Sequence, residues 1–213
     1  MDLGLYVITS SVPELGRDHY DVAAAAIEGG ATAIQLRVKR RQMSETLKMA
    51  AALHELTQKA GIPLIINDHV GIAMAVEAEA LHIGPDDITI SAARRMLGPR
   101  TIIGSSAGRH DDAHKAEREG ADYIGVGAIY ETPTRSDKSA VGPARIARIK
   151  AVVEVPVVAI GGITADNLKP CIKAGADGVA VLSAVSMARD MVAATAELKQ
   201  ALVLAREQLN QAA

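Results

Sequence analysis

Gly120-Ala121-Asp122-Tyr123-Ile124-Gly125-Val126 decides the architecture, because its plan occurs three times in the chain. Gly30-Ala31-Thr32 leads into Ala33-Ile34-Gln35-Leu36, and Gly175-Ala176-Asp177 leads into Gly178-Val179-Ala180-Val181. Each time a helical stretch ends at the glycine and a short run of strand type opens behind it, so one helix–glycine–strand step is being reused. Further runs of the same kind stand at Leu5-Tyr6-Val7-Ile8, Leu64-Ile65-Ile66, Ala80-Leu81-His82-Ile83, Thr101-Ile102-Ile103 and Val157-Val158-Ala159-Ile160, which makes eight in all. They are continuously apolar, as strands covered on both faces are. Between them lie segments of helical spacing; from Ser44 to Ala60 the residues Met49, Leu53, Leu56 and Ala60 form one apolar face. Ser44 is expected to cap this helix and Gly61 to end it, with Pro63 preventing continuation. The interval between the third and fourth runs leaves space only for a short helix, and Met187 to Ala213 reads as a final amphipathic helix. Strands alternating with helices over 213 residues predict an α/β fold, a (β/α)8 TIM barrel near the lower end of its size range, with residues 1–213 as a single domain. The rival, a doubly wound open sheet, seldom needs eight strands at this length.

Composition narrows the function. A chain of this length buries roughly 70% of the surface its unfolded form exposes. With aromatic residues at 2%, and neither Phe nor Trp, small aliphatic residues must fill the core. The net charge of -2 argues against nucleic acid or an anionic membrane surface as a partner, so anionic ligands must meet local cationic clusters. No apolar run approaches the roughly 18 residues that span a bilayer. Cys171 is the single cysteine and cannot form an internal disulfide, and the N-terminus lacks the features of an export signal, so a cytoplasmic location is expected. The expected partners are small-molecule substrates; a homo-oligomer is compatible with the sequence.

In a TIM barrel the chemistry sits where the strands end. After the second run, alternation sends Gln35, Arg37 and Lys39 to one side, a set of donors suited to phosphate oxygens. Asn67-Asp68 follows the third run and Asp87 lies in the loop after the fourth. Adjacent parallel strands are about 5 Å apart, so two such carboxylates can share a hard cation, for which Mg²⁺ is the natural choice. The competing structural reading makes Asp68 and Asp87 helix caps. Ser105-Ser106 ends the fifth run, and Thr132-Pro133-Thr134-Arg135 follows the sixth. Gly161-Gly162 and Leu182-Ser183 end the last two, where barrels commonly hold a phosphate on backbone N–H groups. The mouth thus combines a monophosphate pocket with a cationic, metal-bearing region fit for a diphosphate, which points to group transfer with loss of pyrophosphate. His19, His54, His110 and His114 are expected on helix surfaces, and His69 and His82 lack a third ligand at zinc spacing.

Taken in order, Gln35-Leu36-Arg37-Val38-Lys39, Asn67-Asp68, His82-Ile83-Gly84 through Asp87, Ile103-Gly104-Ser105-Ser106, Asp122 through Gly127, Thr132-Pro133-Thr134 and Ala159-Ile160-Gly161-Gly162-Ile163 resemble the thiamine-phosphate synthase family, over about Leu5 to Ser186. The resemblance implies a transferase that joins a hydroxymethylpyrimidine diphosphate to a thiazole phosphate, by ionising the former and trapping its cation. It implies that Gln35, Leu36, Arg37, Val38, Lys39, Asn67, Ser106 and Arg135 bind the pyrimidine diphosphate, with Arg37, Lys39, Ser106 and Arg135 catalytic. Thr132, Pro133, Thr134, Gly162, Leu182 and Ser183 would bind the thiazole phosphate, and Asp68 and Asp87 would hold Mg²⁺. Three positions depart from the family pattern: Arg135 replaces a usual Lys, Pro85 a usual Gln, and Ser10 a common Asp. The alternatives are a thiazole tautomerase, which shares the barrel without the full diphosphate and metal set, and a catalytically silent ligand-binding barrel.

Overall fold

The glycine step is built as the repeat implies. Gly30, Gly120 and Gly175 have φ of 93°, 99° and 97°, left-handed values that a side chain disfavours. The N–H groups at each glycine and the alanine after it turn back onto the last helical carbonyls, as Gly120 does to Glu117 (2.9 Å) and Ala121 to Ala116 (3.0 Å). This is a Schellman end, which saturates carbonyls that a helix otherwise leaves open.

The computed structural model describes residues 1–39, 41–132 and 139–212. Its strands are β1 (Leu5–Thr9), β2 (Ala33–Leu36), β3 (Leu64–Asn67), β4 (Ala80–Ile83), β5 (Ile102–Ser106), β6 (Tyr123–Val126), β7 (Val157–Ile160) and β8 (Gly178–Val181). All pair in parallel with the next, and β8 with β1, closing a barrel. The helices are α1 (His19–Glu28), α2 (Met43–Ala60), α3 (Val70–Ala75), α4 (Ile90–Leu97), α5 (His110–Arg118), α6 (Ala144–Lys150), α7 (Lys169–Lys173), α8 (Ser183–Ser186) and α9 (Met191–Ala212). The fold is the expected (β/α)8 barrel, including the short α3. None of its helices, among the described residues, is long and apolar enough to cross a membrane.

Two details differ from the sequence reading. Helix α2 opens with Gln42 at its cap and no side-chain bond there, so Ser44 lies inside its first turn; the Gln42 carbonyl instead accepts from the Thr46 hydroxyl at 3.1 Å. His19, at the first position of α1, is 4% exposed rather than on the surface, because its ring turns in to meet Thr9 Oγ1 at 2.8 Å.

Strand alternation separates two cores. Leu5, Val7, Ile34, Leu36, Leu64, Ile66, Leu81, Ile124, Val157 and Val179 face outward into the layer beneath the helices. Tyr6, Ile8, Ala33, Ile65, Ala80, Tyr123, Val158 and Ala180 fill the barrel interior. Burial of aliphatic side chains on both faces supplies the main stabilisation, at about 25 cal/mol per Å² of apolar surface. Inward positions nearer the mouth turn polar, and there the cavity opens.

Candidate active site

A cavity of about 500 Å³ occupies the C-terminal mouth of the barrel. Gln35, Arg37, Asn67, Asp68, Asp87 and Ser106 line it from β2 to the end of β5, and Thr132, Gly162, Leu182 and Ser183 from the β6 loop to β8. The structure thus gathers residues spread over most of the chain. It does not bring every expected residue to the lining. Leu36 is 2% exposed in the outer core and Val38 packs partly buried against the same core. The alternation that turns Gln35 and Arg37 inward turns these two outward, so a ligand could meet only their backbone. Lys39 is exposed beyond the lining. Pro133, Thr134 and Arg135 lie outside the described residues.

The cap readings of the two aspartates are not met. His69, with no side-chain bond, stands at the cap of α3, and Thr89 caps α4 by accepting from the Ala92 N–H at 3.3 Å. Asp87 instead accepts from the Gly84 N–H at 2.7 Å, which folds the β4 loop back on itself. Asp68 has φ of 64°, a costly left-handed conformation for a non-glycine residue and one that recurs at functional sites. Burial pushes its carboxyl up to about 6, with further help from a hydrogen bond with Asp87 and that residue's charge, while the Arg37 guanidinium pulls the other way. A like-charged pair of this kind, with Arg37 and open cavity beside it, suits a divalent cation completed by water and phosphate oxygens. Among the described residues no cluster of three or more His, Cys, Asp and Glu offers a fuller cage.

Sequence reasoning missed the cavity floor. Gln35 Nε2 donates to Tyr6 Oη at 2.5 Å, and Tyr6 Oη lies 3.1 Å from Tyr123 Oη. Tyr123 Oη is 2.9 Å from His82 Nδ1, and His82 Nε2 is 2.9 Å from Ser106 Oγ. Burial holds His82 neutral by lowering its pKa to about 4, and pushes Tyr6 and Tyr123 well above the usual tyrosine range. The legible signal was a polar ring at an inward position of each of three apolar strands.

At the other side of the mouth, Gly162 has φ of 64° and a Cβ there would overlap the backbone of Glu131 and crowd Tyr130. Only glycine fits this approach of the β6 and β7 loops. Asn167 fixes it, donating from Nδ2 to the Gly162 carbonyl at 2.9 Å and accepting from the Thr164 N–H at 2.8 Å. Ser183 follows at the first position of α8, and the first N–H groups of a helix have no partner within it, a feature that suits an anion.

Fold and mouth together define a phosphate-handling barrel enzyme. Residues 5–185 match the family model for thiamine monophosphate synthase. The thiamine-phosphate synthase of Moorella thermoacetica is 45% identical over 203 residues, covering 95% of this chain and 97% of that protein. That of Natronomonas pharaonis is 42% identical over 204 residues, covering 94% and 95%. The solved structure of thiamine phosphate pyrophosphorylase from Pyrococcus furiosus superposes with a TM-score of 0.88 at 38% identity, over 96% of this chain and 97% of that one. The chain belongs to the thiamine monophosphate synthase family, a family of transferases in thiamine biosynthesis. These findings favour the synthase over the thiazole tautomerase and over a silent barrel.

Proposed function

We propose that residues 1–213 act as one barrel that condenses 4-amino-2-methyl-5-(diphosphooxymethyl)pyrimidine with thiazole ethyl phosphate to give thiamine phosphate and pyrophosphate, with CO₂ released when the thiazole is carboxylated. The observation that carries this reading is the division of one cavity between a charged rim, with Arg37, Asp68, Asp87 and Ser106, and a glycine rim ending in Gly162 and Ser183. One rim suits a diphosphate leaving group and the other a monophosphate anchor.

The pyrimidine methylene carbon loses its bond to the diphosphate oxygen, which keeps the electron pair; the thiazole nitrogen then bonds to that carbon. Gln35, Asn67 and the backbone around Leu36 and Val38 hold the pyrimidine diphosphate. Arg37, Lys39, Ser106 and Arg135 meet the charge that grows on the departing oxygens, the usual large contribution in such sites. Thr132, Pro133, Thr134, Gly162, Leu182 and Ser183 seat the thiazole phosphate so that the two substrates lie in line. Asp68 and Asp87 would hold Mg²⁺, which supplies positive charge to the leaving group when bound. A cytoplasmic location and small-molecule partners belong to the same reading, supported by the single, buried cysteine.

The test mixes purified protein with both substrates and Mg²⁺ and follows pyrophosphate and thiamine phosphate together. Equal formation of both, abolished by EDTA, is expected. Thiazole isomerisation without metal, or binding without turnover, would overturn the proposal. Arg135→Ala is expected to lower turnover and diphosphate affinity, and an unchanged variant would remove Arg135 from the site.

A further inference from the structure

His82, Gly104 and Tyr123 stand level on adjacent strands, since Gly104 is in register with both of the others. Strands once removed are about 10 Å apart, too far for most side chains to meet above an occupied middle strand. Here the middle residue is glycine, and a Cβ on it would overlap the Tyr123 ring. The missing side chain is what lets Tyr123 cross to His82, their ring centroids 5.5 Å apart. Gly125 in turn sits beneath the His82 ring, where a Cβ would meet Cε1 at 3.2 Å. The barrel interior is therefore shaped around a chain of contacts from Gln35 to Ser106.

That chain has a direction. The Gln35 amide donates to Tyr6 Oη, so the Tyr6 hydroxyl needs an acceptor for its own hydrogen, and Tyr123 Oη is the one within reach. Run the opposite way, Tyr6 would accept twice and leave its hydrogen unpaired in a residue that is 2% exposed. With Tyr6 donating, Tyr123 gives its hydrogen to His82 Nδ1, and His82 carries its proton on Nε2 and donates to Ser106 Oγ. Ser106 then has its own hydrogen left to give, and it faces the cavity.

We propose that Tyr6, Tyr123 and His82 are positioning residues that form a one-way hydrogen-bond relay, holding the Gln35 carbonyl toward the substrate as an acceptor and forcing Ser106 to act as a donor to the leaving diphosphate. The substrate end of this inference rests on the synthase reading; the direction of the relay does not. The two ends serve different steps. Gln35 touches a group unchanged in the reaction, so its orientation governs binding; Ser106 faces oxygens that gain charge, so its orientation governs the chemical step.

The test has two arms. In long-range proton–nitrogen spectra of the full-length protein, with the His82 signal assigned by its loss in His82→Gln, the relay requires hydrogen on Nε2 and a bare Nδ1; hydrogen on Nδ1 reverses the direction and overturns the proposal. In steady-state kinetics, Tyr6→Phe is expected to raise KM for the pyrimidine diphosphate more than it lowers kcat, whereas His82→Phe lowers kcat about tenfold or more. In a Ser106→Ala background His82→Phe should cost less than about threefold, because the residue acts through a hydroxyl no longer present. An equal cost in both backgrounds makes His82 a packing residue and overturns its role. Should the unaltered protein fail to make thiamine phosphate, the synthase reading falls while the spectra still decide the direction of the relay.

Discussion

Asp68 combines two costs, a left-handed backbone and a carboxyl pushed up to about 6 by burial and Asp87. A folded-state pKa above the unfolded value means the native protein favours the protonated form. The resulting stability is full below about pH 4 and is lost as pH rises through about 6. Asp68→Asn should therefore stabilise the fold at pH 7 by about 1 kcal/mol, discounted because the group is half exposed, and asparagine also tolerates the backbone better. Denaturant unfolding should show that gain at pH 7 and little at pH 4, while turnover falls by orders of magnitude. Unchanged turnover and Mg²⁺ dependence would make Asp68 structural. His19 behaves oppositely: burial and the Arg41 charge lower its pKa to about 4, against a partial pull from Asp18. Its contribution is full above about pH 6.5 and is lost as pH falls toward 4, up to about 2–3 kcal/mol. The slope of unfolding free energy over that interval should flatten in His19→Gln. At this scale alternation made Gln35 and Arg37 legible, as neighbours on one strand. The relay was not legible, because Tyr6 and Tyr123 stand 117 positions apart and meet through a register that no local pattern records.

Between residue and barrel lies a half-turn unit of the sheet that is used four times. The residue before each even strand binds an N–H at the start of the odd strand preceding it, on the first residue of β1, β3 and β7 and on the second of β5: Thr32 Oγ1 accepts from Leu5 (3.0 Å), Glu79 Oε2 from Leu64 (2.9 Å), Asp122 Oδ2 from Ile103 (2.7 Å) and Asp177 Oδ2 from Val157 (2.7 Å). Each bond satisfies a strand-end donor at the closed end of the barrel. The Gly-Ala-Thr/Asp pattern revealed three of these units. The fourth, Glu77-Ala78-Glu79, was hidden because glutamate stands where the others have glycine. Its backbone nevertheless makes the same turn, with φ of 54° at Glu77 and the Ala78 N–H on the Ala73 carbonyl at 3.0 Å. Glycine removes the Cβ strain there at a smaller cost in unfolded-chain entropy. Glu77→Gly should raise stability by about 0.5–1 kcal/mol with activity unchanged, read as a shift of denaturant midpoint at constant slope. A loss of stability would show that Glu77 makes a compensating interaction outweighing its backbone.

For the whole molecule the governing fact is that a chain of net charge -2 must draw two anions into one mouth. The outer apolar shell holds the strands in register, and the inner layer leaves only the mouth polar. On the proposed reading Arg37 would attract the diphosphate while Asp68 and Asp87 would repel it, so the carboxylate pair would become favourable to the substrate only with a dication between them. The same pair offers the dication few ligands until phosphate oxygens complete its shell. Metal and diphosphate binding must then be thermodynamically coupled, each raising the affinity of the other by the same factor. Millimolar Mg²⁺ alone and inorganic pyrophosphate alone should each move the melting temperature little. Together, at about 100 times the coupled Kd, they stabilise by about 2.7 kcal/mol, a rise of about 5–10 °C for a chain of this size. Asp87→Asn should abolish the synergy while leaving the metal-free melting temperature near that of the unaltered protein. Additive shifts, or synergy that survives in Asp87→Asn, would place the cation elsewhere and leave the charged rim to bind its anion through Arg37 and its cationic neighbours alone.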